Sequence, residues 1–180
     1  MLILIFLSLF LQSEKLVKQK IQDAENTFTF SIPEDFIAMS EADRQQKLQS
    51  YRKSVAAYSS YDRQTDFGVN RAFSRFPGND IELLSQFYKS SIYNLYTKVE
   101  MINEEIKEIN GRKFAVFEFN SYVSDEEKTF GSAEVIAKYV YVQYTVVDDN
   151  TIVCNFQCPL YFKDKWQETA SEMMNSISIK

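Results

Sequence analysis

The chain of 180 residues contains no histidine. That removes the commonest general base and the commonest metal ligand together, and with them Ser-His-Asp and Cys-His nucleophile systems. Cysteine is nearly absent, at 2 residues, so neither a disulfide framework nor a cysteine-based metal cluster is available. Glycine and proline are also scarce, at 4 and 3, which argues against loop-rich and repeat architectures. Positive charge is in deficit: 20 Lys and Arg against 25 Asp and Glu give a net charge of −5. Nucleic acid is excluded as a partner, because phosphate binding needs a basic surface. No catalytic residue, metal ligand set or cofactor is expected.

What the chain does have starts with its first eleven residues, MLILIFLSLFL, which carry no charge. As a helix this run reaches only ~17 Å, short of a ~30 Å hydrocarbon core. It fits the apolar core of an export signal, although the Lys or Arg that usually precedes such a core is missing. Cleavage after Ser13 is expected, with an uncleaved anchor or a buried N-terminal helix as the other readings. Residues 1–13 are thus read as a signal peptide, 14–26 as a linker or short helix, and 27–180 as one domain. The protein is expected outside the cytoplasm, touching a membrane only through the leader.

Apolar residues make up 45% of the chain and charged residues 25%, a globular mixture with material for a real core. Residues 28–36, FTFSIPEDF, alternate up to Pro33 and read as a strand. Ser40 followed by Glu41-Ala42-Asp43 opens a helix, and Leu48, Tyr51, Val55 and Tyr58 continue it at helical spacing. Asp66 to Phe73 reads as a second strand. Pro77-Gly78-Asn79-Asp80 precedes an amphipathic helix with Ile81, Leu84, Tyr88, Ile92 and Leu95 on one face. Val99 to Ile109 leads into Asn110-Gly111, a strong hairpin marker.

The arm after that hairpin, RKFAVFEFNSY, puts Phe114 and Val116 on one face and Ala115, Phe117 and Phe119 on the other. Such a strand is central and covered on both sides. Asp125 to Lys128 reads as a solvated loop, Ala133 to Val147 as a long strand, and Asp148-Asp149-Asn150 as its turn. Residues 151–158 form the returning arm, with Ile152, Cys154, Phe156 and Cys158 facing inward. In a strand, Cys154 and Cys158 stand ~13 Å apart, so they are expected as two buried thiols. A bulge before Pro159 would be needed to bridge them. From Phe162 a helix presents Trp166, Ala170, Met173 and Ile177. The expected fold class is α+β, with three helices flanking an antiparallel sheet of about six strands.

The order of these elements resembles the PsbP-like fold family. The likeness rests on FSIPEDF, on INGR at residues 109–112 before an aromatic strand, and on the terminal Trp helix that runs into NSISIK. That family includes extrinsic subunits of the photosynthetic oxygen-evolving complex, Ran-binding Mog-type proteins, DcrB-like envelope proteins and adaptors of type VI secretion effectors. The resemblance implies an α/β/α sandwich and a binding or assembly role rather than catalysis. With the leader, it points to the envelope branch.

Three sets of residues remain as candidates for function. Glu100, Glu104 and Glu108 would share one face of a strand, which suits either a cation site or a solvated edge that discourages pairing. The tyrosines Tyr51, Tyr58, Tyr61, Tyr93, Tyr96, Tyr139, Tyr141 and Tyr144 exceed what a core needs to bury. Tyrosine offers apolar area with a polar tip, which suits interfaces. Tyr93, Tyr96, Tyr139, Tyr141 and Trp166 are therefore the expected contacts to a protein partner or apolar ligand. The alternatives are a carboxylate- or metal-dependent hydrolase and an adaptor or chaperone of a secretion system.

Overall fold

The structure is a computed structural model that describes residues 14–23, 26–48, 53–73, 80–124 and 135–180. The leader, the cleavage point at Ser13 and the Asp125–Lys128 loop lie outside the described residues. Strand β1 (Leu16–Asp23) pairs antiparallel with β2 (Asn26–Pro33) along its whole length, from Leu16 opposite Pro33 to Asp23 opposite Asn26. This corrects the reading of residues 14–26 as a linker or helix. Leu16, Val17 and Ile21 pack on the core, and the remaining polar side chains are tolerated because β1 is an edge strand. A two-residue strand, β3 (Ile37–Ala38), leads into helix α1 (Glu41–Leu48). The Ser40 hydroxyl accepts from the Asp43 amide at 3.1 Å, the cap its sequence promises.

That helix is shorter than expected. Residues assigned to its second half form strand β4 (Lys53–Ser59), antiparallel to β5 (Asp66–Phe73). A bulge between Ser54 and Ala56 breaks the two-residue alternation there, so the apolar spacing imitates a helix. Helix α2 (Ile81–Leu95) starts at Asp80, whose carboxylate accepts from the Leu83 amide at 2.9 Å. It buries Ile81, Leu84, Tyr88 and Ile92. Leu95 departs from the expectation and is 70% exposed, as the last helical residue before the chain turns extended at Tyr96.

Strands β6 (Lys98–Ile109), β7 (Arg112–Ser124), β8 (Val135–Val147) and β9 (Asn150–Pro159) follow as a meander. Tight turns at Asn110-Gly111 and Asp148-Asp149 join β6 to β7 and β8 to β9. Positive φ at 51°, 82°, 47° and 58° marks those four turn residues. A single 3₁₀ turn, Leu160–Phe162, leads into α3 (Lys163–Asn175), and β10 (Ser178–Ile179) closes the chain beside β2.

The fold is α+β, and the described residues form three α-helices and two antiparallel sheets rather than one. The large sheet has seven strands in the order β3-β4-β5-β9-β8-β7-β6, and the small one runs β1-β2-β10. One face of the large sheet is covered by α2, which packs Leu84, Tyr88 and Ile92 against Ala115, Phe117, Phe119, Val142 and Tyr144. The other face is covered by α3 and the small sheet together, through Phe28, Phe30, Trp166, Met173 and Met174 against Phe114, Val116, Cys154 and Phe156. The alternation of 114 and 116 against 115, 117 and 119 thus places the two half-cores on opposite faces of β7, as its sequence requires. No helix among the described residues is long and apolar enough to cross a membrane.

Candidate functional site

Of the five expected contact residues, three are core. Tyr139 and Tyr141 are buried on the α3 face of β8, and Trp166 is 3% exposed, ringed by Phe36 and Phe156 at 5.5 and 6.0 Å. Surface recognition by these three is ruled out by burial. Tyr144, also among the surplus tyrosines, stacks on Tyr88 at 3.8 Å between α2 and β8. Tyr139, Tyr141 and Tyr144 are thus consumed by a core with two faces, each needing its own aromatic layer. Tyr96 is half-buried against Phe119 at 5.7 Å, and only Tyr93 is exposed.

Tyr139 instead holds a carboxylate that the sequence did not single out. Tyr139 donates its hydroxyl to Glu118 Oε1 at 2.9 Å, and Gln167 of α3 donates to the same oxygen at 2.5 Å. Burial, reinforced by the Glu118 charge, pushes the Tyr139 phenol far above its ordinary range and that of Tyr141 up to about 12. Both phenols remain neutral, and Tyr139 and Gln167, both donating to Glu118, tie α3 to the sheet. Both thiols stay unbridged, and burial raises Cys154 and Cys158 to about 12, well outside the range of a nucleophile.

The acidic strand is also divided. A bulge between Met101 and Asn103 shifts the register of β6, so Glu100 pairs with Asn120 while Glu104 and Glu108 lie opposite Phe117 and Lys113. Phe117 and Asn120 point to opposite faces of β7, and Glu100 is thereby separated from the other two, against expectation. Two of the three find a cation: Lys89 of α2 sits 2.7 Å from Glu104, and Lys98 sits 2.6 Å from Glu100. Tyr122 donates to Glu100 as well, at 2.8 Å, and these donors lower its pKa to about 2. No group of three or more metal-ligating side chains gathers among the described residues.

What the topology does gather is an apolar rim at one end of the large sheet. The end formed by Ser59, Asp66, Lys98, Ser124, Val135 and Pro159 follows from the strand registers. Tyr61 (82% exposed) follows β4 there, Tyr161 (74%) follows β9, and Leu95 (70%) ends α2. Val135 and Ile136 open β8, Val123 is the register partner of Ile136, and Ile37 borders β4. Thr97 accepts from the Ser124 amide at 3.2 Å and so fixes the end of α2 beside β7. Charge clusters flank this rim: Asp43–Arg63 and Lys47–Asp66 on the β4 side, Lys98–Glu100–Tyr122 on the β6 side. Sequence reading missed the rim because its members are scattered strand ends, which share no period. The opposite end, around Gly111, Arg112, Lys113 and Thr145, is polar.

No protein-family model matches the chain, and no curated protein is similar in sequence. Solved structures are similar in fold. The solution structure of cyanobacterial PsbP (CyanoP) from Synechocystis sp. PCC 6803 aligns with a TM-score of 0.62 at 13% identity, over 91% of this chain and 92% of that one. LpqN, a protein involved in cell envelope biogenesis of Mycobacterium tuberculosis, aligns at 0.58 and 10% identity over 95% of both chains. The Ran-binding protein Mog1p of Saccharomyces cerevisiae aligns at 0.51 and 14% identity, over 91% of this chain and 96% of that one. The chain has the PsbP-like, Mog-type fold. At these identities the likeness concerns backbone architecture, and the resemblance read from FSIPEDF, INGR and the terminal Trp helix holds at that level.

Proposed function

We propose that this is an exported, non-catalytic binding or assembly protein of the cell envelope, whose apolar rim docks a protein partner. The observation that carries the reading is a concentration of exposed apolar side chains at one sheet end, where Tyr61, Leu95, Val123, Val135, Ile136 and Tyr161 collect, while Leu83, Phe87, Ile102 and Ile106 are exposed elsewhere on α2 and β6. An apolar centre bordered by charged clusters is the anatomy of a protein–protein interface, and it sets protein above a small apolar ligand as the occupant. The PsbP-like fold supports the reading, since solved proteins that share it include a Ran-binding protein and one involved in envelope biogenesis. Export rests on the apolar leader. Against catalysis stand the two thiols held at about 12 and the lack of histidine. Of the expected contact residues, Tyr93 and the edge of Tyr96 keep a place in this proposal, beside Leu95.

Photo-crosslinking groups placed at Leu95, Ile136 and Tyr161 in the native envelope should each give the same discrete adduct. The same groups at Lys113 and Asp149, at the polar end, should give none. Equal labelling from both ends, or no adduct from the rim, overturns the assignment.

A further inference from the structure

The small sheet turns a polar, positively charged face outward, and no element among the described residues covers it. Its register aligns Lys20, Thr29 and Ser178 in one row across β1, β2 and β10. Lys18 stands one row away, and Thr27 pairs by its backbone with Lys180, at 2.7 and 3.0 Å. These side chains line an open dish of about 680 Å³ that contains no carboxylate side chain and no ring. Among the described residues none of the three lysines forms an ion pair; the nearby carboxylates Glu34 and Asp23 are held by Lys15 and Arg71. On a chain of net charge −5 this is an isolated positive field.

The chemistry of the dish selects among anionic partners. A protein interface has an apolar or aromatic centre, and single-stranded nucleic acid needs rings to stack on; neither is present. A small ligand needs enclosure, which an open sheet face does not supply. Lysines ~7 Å apart along β1, with a third two strands across and one row along at ~12 Å from Lys20, match a layer of charges better than a single ion. The strand that carries Lys18 and Lys20 is also the first described element after the apolar run, separated from Leu11 by Gln12 to Lys15.

We propose that this face docks on the anionic headgroups of a lipid bilayer, with Lys18, Lys20 and Lys180 supplying charge and the Thr29 and Ser178 hydroxyls donating between them. The face is separate from the apolar rim, and either assignment can fail without the other. The test is partition of the protein, recovered from the envelope in its native form, onto phosphatidylcholine vesicles with and without phosphatidylglycerol. Each lysine at an anionic surface contributes about a factor of five, so three give a preference on the order of 100-fold for the anionic vesicles, abolished by high salt. A retained apolar leader would raise binding to both compositions equally and leave that ratio intact. The Lys18→Gln/Lys20→Gln/Lys180→Gln variant should lose the preference, while Lys107→Gln/Lys113→Gln/Lys163→Gln keeps it. An equal partition onto both vesicles, a preference that survives the first variant, or complete displacement by soluble glycerol phosphate overturns the proposal. Lys18, Lys20, Lys113 and Lys180 are exposed and Lys107 and Lys163 half-buried, and an unchanged melting temperature establishes that the fold is intact.

Discussion

Glu100 shows how one side chain is fixed by its neighbours rather than by its own chemistry. It accepts from Lys98 at 2.6 Å, from Tyr122 at 2.8 Å and, more weakly, from Asn120 at 3.4 Å. These donors favour the ionised form and bring the folded-state pKa from 4.5 to about 2. The unfolded carboxyl binds its proton more tightly, so the cluster favours the folded state fully above pH 4.5 and loses that contribution as the pH falls through about 2. Carboxyl-carbon NMR should place the Glu100 midpoint far below the ordinary glutamate value of 4.5, and Tyr122→Phe should raise it. A midpoint near 4.5 in the unmodified protein contradicts the arrangement. Lys98 also lies over the Tyr122 ring at 5.0 Å, so that variant keeps the cation's packing while removing the hydroxyl.

At the scale of elements, the turn at Asn110-Gly111 sets the register of the longest strand pair. Gly111 has φ of +82°, and a Cβ there would meet nothing within 4 Å, so the cost of Gly111→Ala is conformational alone. A loss of about 1 kcal/mol is expected, read as a small drop in melting temperature with activity of the rim unchanged. A neutral variant would mean that the hairpin is not held in this turn. Elements with strong punctuation were legible in sequence: α2 behind Asp80, the β6–β7 hairpin at Asn110-Gly111, and the two-faced strand from Phe114 to Phe119. Those with irregular periods were not. The bulge at Ser54 made β4 resemble a helical continuation, and the bulge at Met101 moved Glu100 to the other face. Strand β1 was unreadable for a different reason: an edge strand lying on a small sheet keeps polar residues at most positions, so its composition matches that of a linker.

For the molecule as a whole, the arrangement of two half-cores on one sheet decides which aromatic residues remain for recognition. Tyr139, Tyr141, Tyr144 and Trp166 were taken inward because both faces of β7 and β8 need large side chains. Function was therefore only partly legible: tyrosine excess suggested an interface, but burial depends on layer count, and the rim forms only once seven strands align their ends. The central claim is that this rim holds a protein partner in the envelope. It is tested most directly by the native size of the protein in gently solubilised envelopes, compared with a Leu95→Asp/Ile136→Asp variant. Both side chains are exposed, so the variant should keep its melting temperature. The account predicts a complex well above the 21.1 kDa chain for the unmodified protein and release to the size of a single chain for the variant. Identical migration of the two, whether as a complex or as a free chain, would contradict it.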